Sequence, residues 1–429
     1  MQNRIIVYLV CVLLTRCTNH KRIERSSPVI NKELQVLLDE KEYFKLESKL
    51  KAYSDSLTHE DGLYYRSFLE NAFNQNEKSL KTIDSLLQNY QLADSIKATL
   101  NFLKLDCFFK TFQYAKAAQT DSILLHDYQK FFDKDHLKDI QNKSLIHNGL
   151  KNISAQQTDI ISNDTINWTR DRLGLIEIPV KCRTKNYSCI FDTRANISSV
   201  TESYASRLGL KMLNVSYEES AGGTGIRFKT KMGVADSLYI GNILVRNAVF
   251  QVMPDSILYL VRAKIFLNII IGFPIIEQLR EVHIYRDGKM IIPLQPSTSP
   301  LHNFALNELD PVISLRTDED TLSFNFDLGA TTTDLYVSFY NKYRSKILRE
   351  GFKKIVEYGG AGGAQKKEVY ILPKLDLYIG NKRSTIDNVS VRTEKIYPSE
   401  KFYGNAGQDL VKNFNELILN FKYMYIDAN

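Results

Sequence analysis

The sequence predicts an α+β multidomain chain: an N-terminal section of α-helical hairpins, then a mainly-β section made of two related lobes. Three observations predict it. From Asn31 to about His147, apolar residues recur at three- and four-residue steps, as in Leu34, Leu37, Leu38 and in Leu80, Ile83, Leu86, Leu87. From about residue 170 the runs turn strand-like and are bounded by turn residues, as in Leu175-Ile176-Glu177-Ile178-Pro179-Val180. Within that β section, Leu238-Tyr239-Ile240-Gly241-Asn242 returns letter for letter as Leu377-Tyr378-Ile379-Gly380-Asn381. A chain of 429 residues is also too long for one ordinary core.

At the start, Arg4 precedes an unbroken apolar run from Ile5 to Leu14. Ten residues are too few to span a bilayer, which takes about 20, and the layout is that of an export signal. The run ends in Leu14-Thr15-Arg16-Cys17, which resembles a bacterial lipoprotein box with Cys17 as the acylated residue. Arg16 departs from that box, where a small residue is usual; the alternative is an ordinary signal peptide. Residues 1–17 are therefore read as the signal and 18–30 as a polar tether. The expectation is a lipid-anchored protein of the bacterial cell envelope, facing the periplasm or the exterior.

The helical section, 31–150, carries a weak repeat. Asp84-Ser85-Leu86-Leu87 returns as Asp121-Ser122-Ile123-Leu124, an offset of 37. The period resembles tetratricopeptide helix pairs. Such an array either holds a protein partner in a groove or has no ligand of its own. Residues 151–170, polar and rich in Ser, Gln and Asn, read as a linker.

In the β section the landmarks keep their order in two copies, expected as lobes 171–300 and 301–429. Phe191-Asp192 precedes Ala221-Gly222-Gly223, Gly241 and Ile269-Ile270-Ile271-Gly272. Phe326-Asp327 precedes Ala361-Gly362-Gly363, Gly380 and Asn405-Ala406-Gly407. Asp192 to Gly272 and Asp327 to Gly407 are both 80 positions. An Asp after a strand is ordinarily a turn or capping residue. Repeated at one point of two lobes packed about a pseudo-two-fold axis, it brings two carboxylates together. The turns are Asp192-Thr193-Arg194-Ala195 and Asp327-Leu328-Gly329-Ala330.

This pattern resembles the retropepsin-like aspartic proteases, over about residues 173–427. Asp192 through Val200 is similar to that family's first motif and Ile270-Ile271-Gly272-Phe273-Pro274 to its closing motif. Gly404-Asn405-Ala406-Gly407-Gln408-Asp409-Leu410-Val411 is similar to the closing motif of bacterial two-lobed members. The resemblance implies an endopeptidase acting on peptide or protein substrates, with no metal and no cofactor. Two close carboxylates share one proton; the ionised one activates water and the protonated one donates to the oxyanion. Glycines 222, 223, 362 and 363 are expected at flap tips, or else in plain hairpin turns.

Two departures bear on activity. The family has a hydroxyl after each Asp, tying the two loops together; Thr193 keeps it and Leu328 does not. The family has Gly next; Gly329 keeps it, while Arg194 is a long cation. A solvent-pointing Arg194 is compatible with hydrolysis, whereas one salt-bridged to Asp192 or Asp327 implies a binding cleft without hydrolysis. Three functions are thus in play: an aspartic endopeptidase, a catalytically degenerate peptide-binding lipoprotein, and an adaptor whose helical section does the work.

Other chemistries find no support. There is no H-E-x-x-H among the seven His, no G-x-S-x-G, and no close Cys/His set. The glycines at 359–363 lack the Gly-Lys-Ser/Thr of a phosphate loop. A net charge of +7 over the whole length demands no nucleic acid. Of five Cys, Cys182 and Cys189 face each other if Lys185-Asn186 is a two-residue turn; they are then either a disulfide or two free core thiols.

Overall fold

The computed structural model describes residues 25–220, 226–261, 263–396 and 400–429. The export signal, Cys17, and the expected first flap tip with Gly222 and Gly223 lie outside the described residues.

Among the described residues, the helical section holds seven α-helices: α1 (Pro28–Asp39), α2 (Tyr43–Ala52), α3 (His59–Ala72), α4 (Asn76–Asn89), α5 (Asp94–Lys110), α6 (Tyr114–Asp127) and α7 (Lys134–Leu150). Helix starts reflect the local chemistry. Thr58 Oγ1 accepts the Asp61 N–H at the head of α3, and the Asp133 carboxylate accepts the N–H groups of Asp135 and His136 at the head of α7. Consecutive helices pack on one another, each burying the apolar stripe that the 3.6-residue period creates. None of the described helices is long and apolar enough to cross a membrane.

The β section begins inside the expected linker. β1 (Gln157–Asp159), β2 (Asp164–Asn167) and β3 (Thr169–Arg170) are followed by β4 (Ile176–Cys182), β5 (Lys185–Phe191) and β6 (Ser198–Thr201). Helix α8 (Glu202–Leu208) leads to β7 (Lys211–Ser220), β8 (Arg227–Ile240) and β9 (Ile243–Met253). Then come β10 (Tyr259–Leu260), β11 (Ile265–Phe266), β12 (Ile269–Ile271), α9 (Phe273–Glu277), β13 (Glu281–Tyr285) and β14 (Lys289–Ile292).

The rest starts with β15 (Phe304–Asn307), β16 (Asp310–Arg316), β17 (Thr321–Phe326) and β18 (Asp334–Leu335). Helices α10 (Val337–Lys342) and α11 (Arg344–Glu350) precede β19 (Phe352–Gly360), β20 (Gly363–Ile379), β21 (Lys382–Val391) and β22 (Gly404–Ala406). The chain closes with α12 (Gln408–Val411), β23 (Glu416–Asn420) and β24 (Tyr425–Ala428).

One nine-stranded sheet runs β1-β9-β6-β12-β5-β4-β8-β7 with β3 on β4, and an eight-stranded sheet runs β15-β16-β17-β22-β18-β21-β20-β19. Their pairings coincide. β5 lies parallel to β12 as β17 does to β22, and β6 is antiparallel to β12 as β18 is to β22. β6 is parallel to β9 as β18 is to β21, and hairpin β7–β8 corresponds to hairpin β19–β20. A five-stranded sheet, β2-β14-β13-β23-β24, joins the two halves because β13 of the first pairs with β23 of the second.

Two expectations from the sequence are corrected. The polar stretch 151–170 is woven into both the nine- and five-stranded sheets: β1 pairs with β9, β2 with β14 and β3 with β4. Short polar strands at a sheet edge carry no apolar alternation to betray them. Second, Cys182 and Cys189 are free, buried thiols. The turn sits at Arg183-Thr184, with Arg183 at φ 55°, so Cys182 lies opposite Lys185 and Cys189 opposite Ile178. Each Cys therefore stands well along the hairpin from the position opposite the other.

The helical array packs across both halves of the β section. Asn142 exchanges two hydrogen bonds with the backbone of Glu218, at 2.7 and 3.1 Å, and Asn74 donates to Glu277 at 2.8 Å. On the other half Tyr43 donates to Asn307 at 2.9 Å, Lys143 pairs with Glu308 at 2.7 Å, and Phe73 packs on the His302 ring. Tyr114, Ile146 and Leu150 share a core cluster with Ile197, Tyr217 and Met232.

Candidate active site

Each of the two Asp residues ends a strand, and matching hydrogen bonds hold the two loops. The Asp192 N–H donates to Ile271 O and the Asp327 N–H to Ala406 O, both at 3.0 Å. The Phe273 N–H donates to Ala195 O and the Gln408 N–H to Ala330 O. Six residues after each Asp a hydroxyl, Ser198 Oγ or Thr333 Oγ1, accepts the N–H of Gly272 or Gly407 at 3.0 and 3.1 Å. The sequence reading does not single out these hydroxyls; their equal spacing from Asp192 and Asp327 is the signal that finds them.

The two loops meet. Gly329 packs against Asp192 so closely that a Cβ there would lie 2.3 Å from Oδ2 and 2.4 Å from Cγ. Thr193, buried, donates from Oγ1 to Phe326 O at 3.1 Å and accepts the Leu328 N–H at 3.0 Å. One hydroxyl thus bonds both backbone partners on the opposite loop. Leu328 contributes only its main chain to this clasp, its side chain being buried in the main core. Its carbonyl accepts Gln408 Nε2 at 2.8 Å, and the Gln408 side-chain oxygen accepts the Arg170 guanidinium from β3.

The carboxylates sit in unequal surroundings. Asp192 Oδ1 accepts the N–H groups of Arg194 at 2.8 Å and Ala195 at 3.1 Å. Burial first, and then the charge of Asp327, push the Asp192 carboxyl up to about 7, against the pull of those two amides and of the Arg194 charge. Asp327 Oδ2 accepts Asn405 Nδ2 at 2.9 Å.

Arg194 neither points to open solvent nor pairs directly with either Asp. It crosses to the second half, where Nη1 donates to Asn405 Oδ1 at 3.3 Å and Nε lies 3.6 Å from Asp310 Oδ1. Asn405 therefore stands between the guanidinium and Asp327. Burial opposes the Arg194 charge, and the Tyr336 hydroxyl with Asp310, Asp327 and Asp192 more than restores it. Asp310, whose carboxyl is itself pushed up by burial, gives no signal in the sequence; Asn405 and Gln408 belong to the closing motif of the second lobe.

Of the flap residues, Gly362 and Gly363 form the tip of hairpin β19–β20. Gly362 has φ 80°, a conformation that suits glycine, and its N–H donates to Ile257 O of the first half at 2.8 Å. Ala361 packs on the cluster of Leu175, Ile190, Met253 and Leu258. Lower on the hairpin, Tyr358 donates to Asp334 at 2.7 Å, and Arg392 pairs with Asp334 and Glu400 while stacking over Tyr336. No group of three or more His, Cys, Asp or Glu among the described residues is placed to hold a metal ion.

Residues 178–275 match the family model described as aspartyl protease. The match takes in β4 through α9, including Asp192, and supports an aspartyl protease of the retropepsin-like kind. No curated protein matches the chain.

Proposed function

We propose that this protein is an aspartic endopeptidase in which Asp192 and Asp327 share one proton and activate a water between them. The observation that carries the reading is the contact of Gly329 with the Asp192 carboxyl, locked by Thr193 across the seam. The elevated Asp192 carboxyl fits a pair in which one member stays protonated near neutrality. The ionised member takes a proton from water, which attacks the peptide carbonyl, and the protonated member donates to the oxygen. The two halves act as two lobes of one cleft, with the β19–β20 tip as a flap. The helical section, tetratricopeptide-like in period, holds the lobes in register and is the surface for any protein partner. Acylation at Cys17 anchors the protein in a bacterial envelope.

A second reading rests on Arg194. A cation close to both carboxylates favours their joint ionisation, which would leave a peptide-binding cleft without hydrolysis. The experiment is cleavage of an unfolded protein substrate between pH 4 and 7 by the full chain. Hydrolysis abolished by both Asp192→Asn and Asp327→Asn supports the first reading. An inert parent that binds peptides, with cleavage appearing in Arg194→Gly/Leu328→Thr, supports the second and overturns the first.

A further inference from the structure

The cationic excess of this chain is not spread evenly. Residues 342–374 hold nine Lys and Arg against three Glu, a net +6 of the chain's +7. This stretch runs from the end of α10 through α11 and along the hairpin β19–β20, and β19 is the edge strand of its sheet. Residues 352–355 are exposed at every position, so both faces of the strand meet solvent there. Among the cations stand three large apolar side chains: Leu348, Phe352 and Ile355, exposed to 50%, 51% and 67%.

We propose that this corner of the second half is a membrane-contacting surface that takes anionic phospholipid headgroups, with Phe352, Ile355 and Leu348 entering the interface. Charge complementarity selects an anionic occupant, since each Lys or Arg near such a surface adds to binding. The interleaving selects lipid over an acidic protein. Protein interfaces gather their apolar groups into a lysine-poor centre, whereas interfacial membrane sites mix protruding apolar side chains with lysines. Lys354, Lys366 and Lys367 supply headgroup contacts on both strands of the hairpin. The surface is separate from the carboxylate pair and stands whether or not the protein hydrolyses peptides.

The test uses the full chain with vesicles of phosphatidylethanolamine and phosphatidylglycerol at 3:1, and of phosphatidylcholine alone. Phe352→Trp should shift its emission to the blue and be quenched by brominated chains on the anionic vesicles only, with the effect lost in 0.5 M salt, where screening is strong. Leu145→Trp, exposed on α7, should do neither; it reports any binding that proceeds through the N-terminus alone. Lys354→Gln/Lys366→Gln/Lys367→Gln changes only surface positions and should weaken vesicle binding roughly a hundredfold, about fivefold per charge. Equal binding by that variant, equal responses at positions 352 and 145, or equal binding to neutral vesicles would overturn the proposal. So would binding to soluble polyglutamate with none to vesicles, which would mark an acidic protein as the partner.

Discussion

Replacing Asp192 by Asn should stabilise the protein above neutral pH and change little in acid. The Asp192 carboxyl is pushed from its ordinary 3.8 to about 7, first by burial and then by Asp327. A group whose affinity for protons is higher folded than unfolded favours folding fully below its unfolded value. That advantage is lost as pH rises through the folded value, because the folded state then holds the proton the unfolded state has released. The window is therefore pH 4 to 7, with the full penalty present above it. A shift of this size corresponds to at most about 4 kcal/mol. Because the carboxyl lines a cleft that solvent reaches, about half of that is expected.

Asn keeps the shape, and its oxygen still accepts the Arg194 and Ala195 amides, so no partner is orphaned. Its amide also faces Asp327 as a donor. Urea unfolding of parent and variant at pH 4 and pH 8 measures the difference, read as the midpoint at constant slope. The variant should gain about 2 kcal/mol relative to the parent at pH 8 and close to nothing at pH 4. An equal effect at both pH values, or a destabilised variant at pH 8, would refute the argument that Asp192 is strained by its buried neighbour.

The same geometry sets three further outcomes. Thr193→Val strips the hydroxyl from Phe326 O and Leu328 N–H and should cost about 2–4 kcal/mol in urea unfolding, with Thr193→Ser restoring most of it. Arg194→Gly removes a charge that pulls the Asp192 proton off, so the alkaline limb of the pH–rate profile should move upward by up to roughly one unit; a downward move would contradict the placement of the guanidinium. Cys107, Cys182 and Cys189 should be inert to a thiol reagent in the native protein and fully reactive in denaturant, with the same count before and after reduction; a higher count after reduction would show a disulfide.

Much of the order of the fold was legible because it is periodic or repeated. Helices that bury one stripe show it at a 3.6-residue spacing, and Asp192 and Asp327 stand out at strand ends because one landmark sequence occurs twice. What escaped depends on partners far apart in the chain. Asp310 touches Arg194 across the seam, an encounter that no local pattern announces. Strands β1 to β3 look like linker because they are polar edges whose stability comes from β9, β14 and β4 rather than from their own apolar alternation. The Cys182–Cys189 register failed for a local reason: Arg183, not a glycine or asparagine, takes up the left-handed turn position, so the turn carries none of the usual residues.

The two departures from a symmetric pair of loops each meet a neighbour that offsets them. Leu328 cannot return the bond that Thr193 makes, yet its carbonyl is fixed by Gln408, and Gln408 is in turn held by Arg170 from the other half. The seam is therefore closed twice, once by Thr193 and once by the Arg170–Gln408 link, with different chemistry on its two sides. Arg194 brings a cation to a place where the family has none, and Asp310 lies against it. Guanidinium and carboxylate together are close to neutral, so the field left at the dyad is mostly that of the two Asp residues on each other. That mutual repulsion, together with burial, is what makes one of them keep a proton near pH 7. A lone Arg194 would have erased it, and the position of Asp310 is the physical reason that the endopeptidase reading survives the substitution.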